Sequence, residues 1–378
     1  MSACGIAGLI NIDGKRENGR KVVDMITTML ERENGLGAGY ACYGLFPEMQ
    51  EHYCLQLLLD DRQSKEAVED LLVERVEVHK DEEVFTRKVK GMRGPYPLIW
   101  RFFLEVPRKR IDENPDLEGE DDYIVDMVME INSRIPGAFC MSSGKDMAVF
   151  KGNGWSHDIA EFYDLERYSG NMWLSHSRFP TNTPGWWGGA HPFNILDWSL
   201  CHNGEITSYG TNKRYVEMWG YKCTMLTDSE VVTYLWDLLC RRHGLPPIVA
   251  SMAVAPRYYD DIGRLADEQR EVAIRLRRTY ANAMINGPFS ILVGKARPVP
   301  TLIALTDRKK LRPMIGGISG DEGTVFAASE ECAIRRVERD GEIWAPVAGN
   351  PLIARMGDGI VWDGLKDQSQ YKRMRVIA

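Results

Sequence analysis

A chain of 378 residues that is 44% hydrophobic and 27% charged has apolar material for one large core or two modest ones, which excludes a wholly disordered or fibrous polymer. Its net charge of −7 argues against nonspecific nucleic-acid binding, for which no segment offers a basic stripe. The chain does not open on a basic stretch followed by an apolar one, and no run of about eighteen apolar residues occurs. A cytoplasmic protein without signal peptide or membrane span is therefore expected.

The first predicted element is a buried strand over residues 5–11, beginning directly after Cys4 in Met1-Ser2-Ala3-Cys4-Gly5-Ile6. A cysteine at the front of a strand is either a small buried hydrophobe or, if the three preceding residues are removed, a nucleophile that carries its own base. In the second case the freed α-amine, with a pKa about one unit above neutrality, accepts the thiol proton. Val22, Met25, Ile26, Met29 and Leu30 follow at helical spacing, and a glycine-rich turn at 34–39 leads into an apolar strand over 40–43. From 55 to 134 the character changes. Charged helical stretches such as 61–72 alternate with strand-like runs such as 97–104, and an acidic loop over 112–122 precedes a helix with Ile124, Met127, Val128 and Ile131 on one face. This region is expected to be an inserted α/β subdomain.

Short strands and turns resume over 137–206, a strong helix is predicted over 228–242, and 254–282 reads as helical and highly charged. The last predicted strands are 288–293, 302–306, 324–328 and 353–361. Strands at both ends with helices between them suggest stacked sheets covered by helices. The eight cysteines, at positions 4, 42, 54, 140, 201, 223, 240 and 332, contain no pair at zinc or redox spacing, so neither a disulfide framework nor a metal site is expected.

Three segments could serve a nucleophile at Cys4. In His176-Ser177-Arg178-Phe179 an arginine leaves a short strand, and its planar fork suits a carboxylate. In Cys201-His202-Asn203-Gly204-Glu205 an apolar strand ends in Asn-Gly, which is either a hairpin turn or a pair of neutral donors, the Asn203 amide and the Gly204 N–H, able to meet an oxyanion. Cys201 beside His202 is a poor rival nucleophile, because neighbouring strand residues face opposite ways. In Thr227-Asp228-Ser229-Glu230 the spacing of Thr227 and Glu230 predicts a capping box, leaving Asp228 in a first helical turn, ionised and suited to an ammonium group. Arg178 and Asp228 together would grip an α-amino acid.

These segments resemble the class II glutamine amidotransferases, a branch of the N-terminal nucleophile hydrolases, and most of all the amidotransferase domain of glutamate synthase. The resemblance rests on Cys4-Gly5-Ile6-Ala7-Gly8, His176-Ser177-Arg178-Phe179 with Thr181-Asn182-Thr183, His202-Asn203-Gly204-Glu205-Ile206 and Asp228-Ser229-Glu230. Gly287-Pro288-Phe289-Ser290, Arg312-Pro313, Ala328-Ser329-Glu330 and Gly341-Glu342-Ile343 follow in family order. It implies an α+β fold, a four-layer αββα sandwich, occupying residues 4–363 with 55–134 inserted, 1–3 a propeptide and 364–378 a tail. It further implies that Cys4 is the nucleophile, that Asn203 and Gly204 form the oxyanion hole, and that Arg178, Thr181, Asn182 and Asp228 bind glutamine.

The implied reaction is hydrolysis of the glutamine side-chain amide through a thioester. Most family members place the cysteine directly after the initiator methionine, whereas Ser2 and Ala3 intervene here, so removal of residues 1–3 is required. Family-like segments run almost to the last residue, so a separate partner chain is expected to consume the ammonia. By resemblance that partner is an FMN and iron–sulfur synthase subunit, this chain binding neither cofactor; the 55–134 insertion, outside the resemblance, is a candidate docking surface. A noncatalytic glutamine-sensing or scaffolding subunit is the alternative if the first three residues are retained. An N-terminal nucleophile hydrolase acting on a different amide is a third.

Overall fold

A computed structural model describes residues 4–179 and 185–365. The run Gly5–Asn11 is apolar on both sides of its pleat and is buried along its whole length, as only an interior strand can be. It pairs antiparallel with Met172–Ser177 on one side, with Gly5 opposite Ser177, and with Thr324–Ala328 on the other, with Leu9 opposite Phe326. These strands lie in a seven-stranded sheet whose order is Glu342–Trp344, Ile315–Ile318, Thr324–Ala328, Gly5–Asn11, Met172–Ser177, Ala38–Tyr43 and Met147–Gly152. A second sheet of six strands runs Phe193–Ile195, Trp198–Gly204, Phe289–Lys295, Thr301–Thr306, Leu352–Arg355 and Gly359–Asp363.

Strand alternation divides the apolar residues between faces. Ile6 and Ile10 join Tyr43, Leu174, Cys201, Leu292 and Ala304 in one cluster between the two sheets. Ala7 and Leu9 point the other way, packing with Val22, Met25 and Ile26 of the helix Arg20–Thr27 and with Ala333 and Ile334 of Glu331–Val337. On the outer face of the second sheet, Val231, Val232, Leu235 and Trp236 of the helix Asp228–Asp237 cover Trp198, Leu200 and Ile291. Gly8 sets how closely the sheets approach, because a Cβ there would stand 2.7 Å from Leu292 Cδ2 and 2.9 Å from the Trp173 carbonyl.

A third sheet occupies the region where the composition shifts. Its four strands run in the order Glu77–Glu83, Leu98–Glu105, Tyr53–Leu59 and Ala138–Ser142. The helix Arg62–Arg75 starts where the Asp61 carboxylate accepts the Ser64 N–H at 2.8 Å, and Val68 and Leu72 drop from it onto the sheet. Ile124, Met127, Val128 and Ile131 of the helix Glu120–Arg134 are all buried, as their spacing predicts. This sheet shares one continuous apolar cluster with the residues beneath Asp228–Asp237, Leu55, Leu57 and Phe102 belonging to the same group as Trp198 and Trp236.

Several sequence expectations are corrected. Residues 353–361 are not one strand but parts of the hairpin Leu352–Arg355 and Gly359–Asp363, turned through Gly357 and Gly359, both at positive φ. The predicted helix over 254–282 is two separate pieces, Tyr259–Ile262 and Asp267–Thr279, because Pro256 parts it from the helix Pro247–Val254 that ends where it was to begin and Gly263 interrupts it. Leu30 is 38% exposed, since the first helix ends at Thr27 and a tighter turn over Leu30–Arg32 follows. No helix among the described residues is long and apolar enough to cross a membrane.

Candidate active site

The pairing of Gly5 with Ser177 places Cys4 level with Arg178 at the end of the sheet. Backbone and side chains then pin that end. Ser329 Oγ accepts the Ile6 N–H at 3.1 Å, the Ser329 N–H returns to the Ile6 carbonyl at 2.9 Å, and Arg32 Nε donates to the Cys4 carbonyl at 3.2 Å. Arg32 is itself held by Glu330 at 2.6 Å. The Cys4 sulfur accepts the Phe179 N–H at 3.2 Å. The surrounding protein raises the thiol pKa above its ordinary value by desolvation, against that N–H and the charges of Arg178 and Arg312.

Arg178 is 7% exposed, and its backbone N–H reaches the Gly37 carbonyl at 2.9 Å. Asp228 opens the helix Asp228–Asp237, where its Oδ2 accepts the Ile206 N–H at 3.0 Å and its Oδ1 stands 3.2 Å from Ser229 Oγ and 3.6 Å from His202 Nδ1. Burial would raise this carboxyl, yet the His202 ring, the Ile206 N–H and the Ser229 hydroxyl hold it down to about 2. The capping box expected beside it does not form. Thr227 Oγ1 accepts from Ser229 rather than Glu230, and Glu230 turns back to the N–H groups of Thr224 and Met225 at 3.0 and 2.9 Å.

The Asn203-Gly204 pair is not a hairpin turn. Gly204 is the last residue of its strand and stands opposite Phe289, far along the chain. Its φ is +143°, and a Cβ would lie 2.0 Å from the Pro288 carbonyl oxygen, so only glycine fits. Asn203 is 1% exposed, and both Nδ2 and Oδ1 lack a hydrogen-bond partner among the described residues. A buried amide left in that state costs about 1–3 kcal/mol, an expense that a ligand atom could offset.

Cys4, Arg178, Gly204 and Asp228 open onto one pocket of about 260 Å³. Asn203, the residue before Gly204 in the strand, is not among its lining residues. Thr181 and Asn182 fall outside the described residues. Cys201 is buried in the cluster between the sheets while His202 faces the pocket, so the two do not form a pair.

The sequence reading missed His191, Phe179 and Tyr209, which also line the pocket. His191 stacks on His176 with ring centroids 3.9 Å apart, and His176 Nε2 is 3.0 Å from the His202 carbonyl. Burial lowers the pKa of His176 to about 3 and that of His191 well below the ordinary value, leaving both rings neutral. Nothing in the local pattern around His191 announces this, because its place depends on a loop that Lys151 holds through the Gly188 and Pro192 carbonyls at 3.0 and 3.3 Å.

A fixed cation, a fixed anion and a thiol around one small pocket form a surface complementary to a zwitterionic amino acid with a reactive group on its side chain. Comparison with known proteins points the same way. The family described as glutamine amidotransferases class-II matches residues 78–340, a span that leaves Cys4 outside. An uncharacterized protein of Archaeoglobus fulgidus is 45% identical over 358 residues, 94% of this chain and 92% of its own length. The isomerizing glutamine–fructose-6-phosphate aminotransferase of Acinetobacter baylyi is 33% identical over 199 residues, half of this chain and 28% of that protein. The chloroplastic ferredoxin-dependent glutamate synthase of Oryza sativa subsp. japonica is 28% identical over 261 residues, 62% of this chain and 15% of that protein. With most of its length matched by the family and its thiol, cation and anion gathered in one pocket, the chain belongs to the class-II glutamine amidotransferases.

Proposed function

We propose that this chain hydrolyses the side-chain amide of L-glutamine at Cys4 and passes the ammonia to a glutamate-synthase-like partner chain. The supporting observation is the single pocket that receives Cys4, Arg178, Gly204 and Asp228 together. Arg178 holds the substrate α-carboxylate and Asp228 its α-ammonium, and by the family resemblance Thr181 and Asn182 also bind glutamine. The Cys4 α-amine, freed by loss of Met1-Ser2-Ala3, takes the thiol proton while the sulfur attacks the amide carbonyl carbon. The oxyanion that forms is met by the Asn203 amide and the Gly204 N–H. Collapse breaks the carbon–nitrogen bond, the amine returns its proton to the departing nitrogen, and ammonia leaves. Water then hydrolyses the γ-glutamyl thioester, giving glutamate and the free thiol.

Ammonia free in neutral water is mostly protonated and not nucleophilic, so a partner must receive it directly. By resemblance to glutamate synthase this partner carries FMN and an iron–sulfur cluster; the 55–134 region is the candidate surface for docking it, and this chain works in the cytoplasm. The packing of helices outside two sheets that share one apolar interface supports a four-layer αββα sandwich of N-terminal nucleophile hydrolase type. Intact mass and N-terminal sequencing of active protein test the proposal, together with labelling by diazo-oxo-norleucine. Expected are a chain beginning at Cys4, label on that residue alone and no glutamate release by Cys4→Ala. Label on Cys201, or activity that survives the substitution, contradicts it. Persistence of the first three residues in protein from its own host favours the noncatalytic glutamine-sensing reading instead.

A further inference from the structure

The four-stranded sheet carries a second gathering of reactive side chains, outside the pocket. His52 immediately precedes the strand Tyr53–Leu59, His79 lies in the edge strand Glu77–Glu83, and Glu105 ends the strand Leu98–Glu105 that runs between those two. Tyr53 is paired with Leu104, so His52, one residue earlier, falls level with Glu105. On the other side Glu77 is paired with Glu105 and Val78 with Leu104, but the next pair is Lys80 with Phe103. His79 is thus the extra residue of a β-bulge, the device by which a strand re-aims one side chain.

The bulge brings the His79 ring onto its neighbours. Its centroid is 4.3 Å from that of His52, and its Nε2 is 3.3 Å from Glu105 Oε2. One ligand-capable atom from each of the three residues lies within 4.8 Å of the other two. A surface histidine–glutamate contact alone is worth about 0–1 kcal/mol and gives no reason to turn a second imidazole into it. His52 Nδ1 is moreover buried without a hydrogen-bond partner among the described residues.

We propose that His52, His79 and Glu105 bind one divalent transition ion of the Zn²⁺ class and so clip the edge strand to the next two strands of the sheet. Two imidazole nitrogens with one carboxylate oxygen suit Zn²⁺, which takes such ligands at ~2.0–2.2 Å in a tetrahedron. The edge of that tetrahedron is roughly 3.3–3.6 Å, and His79 Nε2 and Glu105 Oε2 stand 3.3 Å apart. Three protein ligands leave the fourth position to water. The clip acts where the sheet is weakest, since Glu77–Glu83 is exposed at almost every residue. An ion that binds the folded sheet and not the unfolded chain stabilises it by mass action.

The experiment uses the full chain, stripped with a chelator, and Zn²⁺ alone as probe in competition with a chromophoric chelator. The expected result is a Zn²⁺ equivalent whose affinity falls more than about tenfold in each of His52→Ala, His79→Ala and Glu105→Gln, and which Cys332→Ala leaves unchanged. An unchanged urea-unfolding midpoint of the metal-free variants, relative to the metal-free parent chain, confirms that they fold. Co²⁺ bound to the unaltered chain should show nitrogen and oxygen ligation. A thiolate-to-cobalt charge-transfer band, or equal Zn²⁺ affinity in the unaltered chain and in His52→Ala/His79→Ala, overturns the proposal.

Discussion

The backbone N–H of Phe179 meets the Cys4 sulfur at 3.2 Å, joining residues 175 positions apart in the chain. The contact favours a thiolate, yet desolvation outweighs it and the thiol pKa stands above its ordinary value. In a chain that retains Met1-Ser2-Ala3, alkylation of Cys4 by iodoacetamide should therefore be slow near about pH 7 and still climb at about pH 9. Freeing the α-amine should speed the reaction at neutral pH. Mass-spectrometric labelling rates across pH check this, and a plateau below about pH 8 in the unprocessed chain contradicts it.

The proposed substrate clamp at Arg178 and the proposed oxyanion donor at Asn203 should separate kinetically in a chain that begins at Cys4. Arg178→Lys loses the planar fork but keeps the charge, and is expected to raise KM for glutamine roughly 10–100-fold with little change in kcat. Asn203→Ala should do the reverse, lowering kcat about 100–1,000-fold at nearly constant KM. Steady-state glutamate release gives both parameters. Because Asp228 is held down to about 2, its ionisation should impose no pH dependence on KM between about pH 4 and 8.

Gly204→Ala tests the strand end. A Cβ placed 2.0 Å from a backbone carbonyl oxygen, at a φ of +143°, has no flexible neighbour to displace. A loss of at least about 2 kcal/mol is expected in urea unfolding, with the slope of the transition unchanged. A midpoint equal to that of the parent chain would show that the strand end relaxes freely.

Glu33 offers a test by pH. It is 5% exposed, accepts the Ser156 hydroxyl at 2.8 Å and the Ser156 N–H at 3.0 Å, and is pushed up to about 7 by burial, against those two hydrogen bonds and with the Asp158 charge adding to the rise. A carboxyl whose folded pKa is raised contributes stability fully present below its unfolded pKa and lost as pH rises through the folded one. The parent chain should thus lose about 3 kcal/mol between about pH 4 and 7 through this group. Glu33→Gln keeps the shape and should flatten that decline. Denaturant midpoints at a series of pH values measure it, and parallel curves for the two proteins would contradict the assignment.

Much of the frame was legible because its signal is local. The strand Gly5–Asn11 and the buried faces of Arg20–Thr27 and Glu120–Arg134 follow from spacing of apolar residues along a few turns or pleats. The failures share a cause as well. A glycine-bearing turn inside an apolar run split 353–361 into a hairpin, and Glu230 bypassed the expected capping box because its two carboxylate oxygens accept the N–H groups of Thr224 and Met225 instead. Both outcomes depend on what else lies within a few ångströms, which periodicity does not record.

Sequence alone identified Cys4, Arg178, Asn203, Gly204 and Asp228 as the residues to watch, because thiol, guanidinium, amide, bare backbone and carboxylate have fixed chemistry wherever they stand. The tertiary structure decided that Cys4, Arg178, Gly204 and Asp228 share one pocket, that the buried Asn203 amide has no hydrogen-bond partner among the described residues, and that His191 enters unannounced. Strand register brought Cys4 level with Arg178, and a bulge turned His79 onto His52 and Glu105. Such convergence is set by pairing between distant strands, a long-range property that no window of the sequence contains.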